Sequence, residues 1–509
     1  MIRRRRSRTA QAPPLAALTF VMMLGAGGLA VAQAPTTTPA GEEPAVAGAA
    51  GETTPAAEPT LESIRRQIEA LQEQLLVLQR QAELAERAAA EQAAAAKAAT
   101  EAAASRTAAG AGVTASPKDG FSVRSDDGDF TLKVRGYIHV DGRGYLGDRD
   151  DRAVDSWLLR RARPIFEGTL YERFGYRLMA DFGSGATLLQ DVYVEWTFGP
   201  GAIVRAGKFK APFGLERLQS ATETAFVERA FPAGLGPNRD AGIQLSGELA
   251  GGKLEYAAGV FNGVADGASG DTDVNDDKDV VARVLVSPWQ GTPSGLSGLT
   301  IGLAGTGGNQ QGTPTASGLA GYRTVGQQSP ASGSFFGYRA DGTAAGTTIA
   351  DGRRFRLSPQ ASFFAGPFGF LGEYVQSRHA VRRGASAAEL THRAWQATGI
   401  WVLTGENASY RWHVPERGLD PTESDPERRG WGGFTLVGRY NAFRADADSF
   451  PTFAAASAVQ EASGWALGLD WTLQRQIRLL LDYEVTSFGG RGTPRRDEKV
   501  WFTRFQLAW

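Results

Sequence analysis

From about residue 120 to its end, the chain alternates apolar and polar positions with a period of two. Between Phe130 and Arg143, residues Phe130, Leu132, Val134, Gly136, Ile138 and Val140 share one side of an extended backbone. Thr131, Lys133, Arg135, Tyr137, His139, Asp141 and Arg143 share the other. The pattern returns at Leu189 to Phe198, where Val192, Val194, Trp196 and Phe198 alternate with Asp191, Tyr193, Glu195 and Thr197. Near the end, Trp465, Leu467, Leu469, Trp471 and Leu473 oppose Ala466, Gly468, Asp470 and Thr472. Ile477, Leu479, Leu481, Tyr483 and Val485 then oppose Arg478, Asp482, Glu484 and Thr486. Runs of roughly fourteen residues are longer than most soluble strands and suit a tilted strand crossing a bilayer. An apolar face opposite a charged face predicts lipid outside and water inside.

Short turns at Gly199-Pro200-Gly201, Ala250-Gly251-Gly252, Gly366-Pro367 and Leu473 to Gln476 alternate with longer polar excursions. These lie near 147–156, 184–188, 211–241, 263–278, 312–352, 384–390, 444–463 and 488–498. That asymmetry is the one between periplasmic turns and extracellular loops of bacterial outer-membrane barrels. The expectation is an all-β fold, a 16-stranded antiparallel transmembrane β-barrel over residues 121–509, of a size that leaves an aqueous channel. One connection, Glu406 to Gly432, is long although its place in the order is periplasmic. In the last strand Trp501, Thr503, Phe505, Leu507 and Trp509 share a face, and the terminal aromatic resembles the signal read by outer-membrane assembly machinery. Trp196, Trp401, Trp471 and Trp501 are expected on the outside, at the bilayer edges.

The first 120 residues read differently. Residues 1–34 combine Arg3 to Arg6 and Arg8 with an apolar stretch from Leu15 to Val31 and small-x-small cleavage sites, as a secretory signal does. Residues 35–60, rich in Pro, Thr, Ala and Glu, have little to bury and form a linker. Leu61, Ile64, Ile68, Leu71, Leu75, Leu78, Ala82, Ala85 and Ala89 then alternate spacings of three and four, which predicts an N-terminal periplasmic coiled-coil helix over 61–104. Its narrow seam favours association between copies of the chain. A helix packed on the barrel mouth, or a structural tether to the peptidoglycan of the cell wall, are the alternatives. Residues 105–120 read as a second linker.

Composition removes several classes of function. A formal net charge of −1 gives no excess of basic groups for nucleic acid. The absence of cysteine removes disulfides, thiol catalysis and Cys-zinc sites together. No apolar run of spanning length follows the first thirty-odd residues, so helices do not carry the chain across a membrane. The histidines His139, His379, His392 and His413 are far apart in sequence, without metal-ligand spacing. Asp271-Thr272-Asp273-Val274-Asn275 begins like a calcium loop, but Asp276 stands where glycine is required and Ala282 where a glutamate is. No nucleophile elbow occurs. The expectation is neither an enzyme nor a cofactor protein.

The segment from Gly199 to Val284 resembles the phosphate-selective porin O and P family. The resemblance is carried by Gly207-Lys208-Phe209-Lys210-Ala211-Pro212-Phe213-Gly214-Leu215-Glu216 and by Phe226-Val227-Glu228-Arg229. It continues through Arg239 to Leu245, Gly259-Val260-Phe261-Asn262-Gly263 and Lys278 to Val284. It implies a homotrimer of 16-stranded barrels, with the loop after the fifth strand, here Ala211 to Ala241, folded inward to narrow the pore. It also implies small anions, phosphate or polyphosphate, as the solute, and outer-membrane lipid and lipopolysaccharide as surroundings. On the residues alone, pointing each apolar face to lipid turns Lys133, Arg135, Arg161, Arg163, Lys208 and Lys210 inward from neighbouring early strands, as one positive wall. Arg283 points inward as well, and the constriction loop carries Arg217, Arg229 and Arg239. Asp141, Glu167, Asp181, Asp191, Glu195 and other inward acids leave two readings: a pathway for anions, or ion pairs that hold the barrel interior together. A weakly selective general porin is the alternative within channels.

Overall fold

A computed structural model describes residues 80, 113–116, 120–147, 154–185, 187–273, 275–324, 334–425 and 429–509. The secretory signal, the first linker and the coiled coil lie, apart from Arg80, outside them. The barrel opens with β1 (Val113–Ser116), β2 (Gly120–Arg124), β3 (Phe130–Tyr145), β4 (Ser156–Leu170), β5 (Phe174–Asp181) and β6 (Leu188–Gly199). It continues with β7 (Ala202–Lys210), β8 (Arg239–Leu249), β9 (Leu254–Phe261), β10 (Asp279–Val286), β11 (Leu299–Gln311) and β12 (Ile349–Ala365). It ends with β13 (Phe368–Arg383), β14 (Ser386–Val402), β15 (Gly433–Arg444), β16 (Val459–Gln474), β17 (Ile477–Gly492) and β18 (Glu498–Ala508).

Strands β3 to β18 each pair antiparallel with the next, and β18 returns to pair with β3, so sixteen strands close a ring. The closing seam aligns Val500 to Ala508 with Tyr145 to Tyr137. Beyond it, Gly136 and Trp509 exchange backbone hydrogen bonds of 3.1 and 3.0 Å. A Cβ on Gly136 would lie 2.4 Å from the Trp509 ring, so the chain end docks only on a residue without a side chain. Residues 113–116, assigned to the second linker by composition, form β1 instead. β1 pairs with β2, and β2 occupies the stretch of the β3 edge that β18 does not reach.

The alternation read from the chain separates lipid from lumen. Val194 is 61% exposed and Leu467 54%, whereas Asp470, Asp482 and Glu484 are buried inside. Outward aromatics gather near the two rims. Phe174 and Trp196, Phe368 and Trp401, and Phe434 and Trp471 stack toward the short turns. Trp395 with Tyr440, and Trp465 with Tyr483 and Trp501, stand toward the long loops.

Two connections differ from expectation. The excursion predicted at 384–390 is a two-residue turn, Gly384-Ala385, because the ladder of β13 and β14 runs on to Arg383 and Ser386. Small residues (Ala385, Ser386, Ala387, Ala388) hid the alternation there, and Gly384 supplies the positive φ, +56°, that so tight a turn needs. The last excursion shrinks to residues 493–497, since β17 extends to Gly492. The long connection on the short-turn side is present as residues 403–432. It turns into the barrel, where the Trp412 indole N–H donates to the Thr472 hydroxyl at 3.1 Å and Arg478 lies 4.1 Å over the Trp412 ring.

The lipid face is testable with one charge. Leu467→Arg should cost about 2–4 kcal/mol of folding free energy in bilayers, because an unpaired guanidinium would sit in hydrocarbon. Urea titration of the vesicle-embedded protein measures it, and unchanged stability would mean that Leu467 does not face lipid.

Candidate permeation pathway

The segment between β7 and β8, residues 211–238, lies inside the barrel and crosses it. Phe213, Phe226 and Leu235 are buried, and polar atoms of the far wall hold the segment's backbone. Leu215 N–H donates to Glu373 of β13 at 2.8 Å, Val227 N–H to Asp482 of β17 at 2.7 Å, and Phe231 N–H to Asn441 of β15 at 3.2 Å. Arg478 donates to the carbonyls of Thr222 and Thr224, and Arg439 to that of Glu228. Irregular backbone is tolerated at membrane depth where protein satisfies its polar groups. Counted from β3, this is the loop after the fifth strand of the ring, as the resemblance implied. The connection after β14 supports it from the short-turn side: the Tyr410 hydroxyl donates to the Leu215 carbonyl at 2.6 Å, and Gln219 donates to the Tyr410 carbonyl at 2.9 Å.

A second segment, between β11 and β12, also turns inward. Its Tyr322, Phe335 and Phe336 pack with Phe231 of the crossing loop and Phe443 of β15 into one aromatic cluster. Together the two segments fill the side of the lumen next to β12–β17. They leave a cavity of about 1800 Å³ against β3–β7. Residues from both ends of the barrel line it, Ser184 and Asp271 near the long loops and Gln476 and Trp509 near the short turns.

The cavity wall carries fourteen basic and six acidic side chains. Eight of the ten residues singled out from the sequence are among them: Arg135, Arg161, Arg163, Lys208, Lys210, Arg217, Arg229 and Arg239. The other two are elsewhere. Arg283 on β10 donates to Gln360 at 3.1 Å, and Lys133 stands opposite Glu167 in the β3–β4 register.

Their partners divide the eight. Arg163 pairs with Asp181 at 2.7 Å, Arg239 with Asp191 at 2.7 Å, Arg135 with Glu167 at 3.0 Å, and Lys208 with Asp271. Among the described residues, four have no carboxylate partner. Lys210 donates to the Leu218 and Gln219 carbonyls, Arg217 to that of Ala233, and Arg229 to those of Glu216 and Gln219. Among the described residues the Arg161 side chain meets only the His139 ring, at 3.2 Å, and its Nε has no partner. A carbonyl oxygen orients a cation without cancelling its charge, so these four leave positive potential in the lumen.

Strict alternation from Arg161 and Arg163 would send Arg160 to the lipid side. A register shift between β3 and β4 aligns His139 with Arg161 and Val140 with Leu159, so Arg160 is the extra residue of a bulge. Its Nε donates to Glu228 at 2.7 Å, inside the barrel, and Arg143 reaches the same carboxylate at 3.0 Å. Burial pushes the Glu228 carboxyl up, but the guanidinium groups of Arg160, Arg161 and Arg143 outweigh it and hold the group well below the usual carboxylate range. A second bulge at Gln190, between β5 and β6, turns both Gln190 and Asp191 inward. The broken period at Leu158-Leu159-Arg160-Arg161 was the available signal.

Histidines distant in sequence meet in the fold. The β13–β14 ladder brings His379 and His392 to 5.1 Å between ring centroids, with the Tyr338 hydroxyl 2.5 and 2.6 Å from their Nε2 atoms. Among the described residues no group of three or more His, Asp or Glu is arranged to hold a metal ion.

A closed antiparallel barrel with an apolar exterior, a charged lumen and a loop folded across it is an outer-membrane porin: a channel protein, not an enzyme. The chain matches the family described as phosphate-selective porin O and P over residues 132–509, and it belongs to that family. No curated protein matches it. Solved structures with similarity to it include the outer membrane channel DcaP of Acinetobacter baumannii, at 10% identity and a TM-score of 0.47, over 75% of this chain and 99% of that one. An anion-selective porin from Comamonas acidovorans has 12% identity and a TM-score of 0.46, over 75% and 100%. The trimer form of OmpT from Vibrio cholerae has 11% identity and a TM-score of 0.46, over 75% and 99%.

The anchoring of the crossing loop is testable. Glu373→Ala removes the acceptor for the Leu215 and Glu216 backbone N–H groups. Each buried unpaired N–H costs about 1–3 kcal/mol, so the loop should loosen and single-channel conductance rise and grow noisier. An unchanged conductance trace would mean that the loop is held without Glu373.

Proposed function

We propose that the barrel passes small anions across the outer membrane by passive diffusion, phosphate or polyphosphate being the favoured class. The observation that carries this reading is the set of cations bound by carbonyl oxygens or a histidine ring, Lys210, Arg217, Arg229 and Arg161, beside a lumen lined by more basic than acidic groups. Such groups replace part of an anion's hydration and raise its local concentration, while several weak sites in series allow it to leave. The ion pairs of Arg163, Arg239, Arg135 and Lys208 favour the second reading, a general porin with weak anion preference.

Reversal potentials in a planar bilayer separate the two. Lys210→Gln, Arg217→Gln and Arg229→Gln should each lower the anion-to-cation permeability ratio severalfold, and low phosphate should block the chloride current of the parent. Glu228→Gln should act in the opposite direction, because it leaves Arg143 and Arg160 without their shared carboxylate. Acidification to pH 4 should not mimic that substitution: a carboxyl held below its ordinary range stays ionised until the pH falls through its lowered value. A large, weakly selective conductance insensitive to phosphate and to these substitutions would leave the general porin.

We also propose that the protein works as a homotrimer held in part by the heptad seam of 61–104. Deleting 61–104 should weaken the oligomer on native gels with conductance per barrel unchanged. Loss of peptidoglycan association with intact oligomers would assign the helix to tethering instead.

A further inference from the structure

Outside the barrel, next to the aromatic girdle on the long-loop side, stands a basic patch that conduction does not use. Trp395 of β14 and Tyr440 of β15 pack with ring centroids 5.4 Å apart. One outward position further toward the long loops is Arg393, and the register sets it directly opposite Arg444 of β15. On the neighbouring strand β13, Gln376 pairs with Arg393, which makes the outward Arg378 its diagonal neighbour. Arg378 meets Glu389 at 3.1 Å and Arg444 meets Glu461 at 3.2 Å, all with exposed side chains. Among the described residues the Arg393 side chain has no hydrogen bond or ion pair.

Like charges directly across a strand pair repel; Glu461 offsets Arg444, but no carboxylate among the described residues offsets Arg393. Its depth explains what can. Interfacial Trp and Tyr mark the level at which hydrocarbon gives way to headgroups, so groups one step beyond them stand among the headgroups of the leaflet facing the long loops. β13 and β14 are sixteen and seventeen residues long and carry arginines past the girdle. β5, β9 and β10, of eight residues each, end short of that level. A planar guanidinium binds phosphate through paired N–H donors.

We propose that Arg378, Arg393 and Arg444 form a binding site for the phosphorylated headgroup of an outer-leaflet glycolipid, with Trp395 and Tyr440 against its acyl chains. The site rests on the outer-membrane placement of the barrel and not on which ions the lumen conducts.

The test uses the full-length protein in detergent, titrated with bis-phosphorylated lipid A or with the same lipid stripped of phosphate, bound lipid being counted by native mass spectrometry. The parent should retain the phosphorylated form preferentially, and less so as salt rises. Arg393→Gln/Arg444→Gln should bind it about tenfold more weakly, as expected for basic residues at an anionic lipid surface. Arg393→Lys, which keeps the charge but not the paired donors, should bind with an affinity between those of the parent and the double variant. Millimolar inorganic phosphate should not compete, since it lacks the acyl chains. Bilayer conductance of the double variant should be unchanged, which keeps this test separate from that of anion conduction. Equal affinity of parent and double variant, equal retention of the two lipids, or displacement by inorganic phosphate would overturn the proposal. Dissociation of the oligomer in the double variant with lipid affinity intact would make the patch a contact between copies, and would overturn it as well.

Discussion

A strand edge cannot face hydrocarbon, because unpaired backbone N–H and C=O groups find no water there. Everything else in this protein depends on the ring that removes its edges. Its closing seam, between β18 and β3, is reinforced on the inside by Arg504, whose Nε and Nη2 donate to the two oxygens of Asp141, each at 2.7 Å. That bidentate pair joins the first and last strands of the ring across 363 residues of sequence. Closure also fixes the two environments: with period two in every strand, one set of side chains meets lipid and the other is confined to a lumen.

Confinement concentrates charge, and a lumen full of charge is stable only if the charges are partnered. Most are. Arg356 with Asp266 and Asp279, Arg439 with Glu484, and Arg478 with Asp470 lock neighbouring strands and the inward loops to one another. Removing one member of such a buried pair is far costlier than its surface equivalent, because the other is left uncompensated. The tall wall, β12–β17, is therefore the scaffold against which the crossing loop and the aromatic segment are packed. The cavity stays open on the opposite side, where Lys210, Arg217, Arg229 and Arg161 are oriented by carbonyls and a ring. The same alternation that builds the interior presents Arg378, Arg393 and Arg444 to the outside just beyond the girdle.

Much of this was legible along the chain. The ring of sixteen strands, its lipid-facing residues and the inward course of the loop after the fifth strand follow from periodicity, turn spacing and family resemblance. Of the eight candidate cations at the cavity, Arg135, Arg161, Arg163, Lys208 and Lys210 were assigned by the period of two, which gives a side without knowledge of the partner strand, and Arg217, Arg229 and Arg239 by the inward loop that the resemblance implied. The failures are local and physical. Arg160 was hidden by a bulge, which shifts the period by one residue and leaves composition untouched. The Gly384-Ala385 turn was hidden by small residues that carry no alternation. Arg283 is inward-facing but lies on β10, beyond the cavity's reach.

What the sequence by itself determined is the architecture and the sidedness of nearly every strand residue, because both come from a one-dimensional repeat imposed by the bilayer. What only the tertiary structure decided is which charges are spent on one another and which remain. Asp181 reaches Arg163 from an adjacent strand, whereas Glu228 reaches Arg143 and Arg160 from a loop that crosses the lumen. Pairing depends on register, bulges and the path of that loop, and those are set by packing between segments far apart in the chain, which no local pattern encodes.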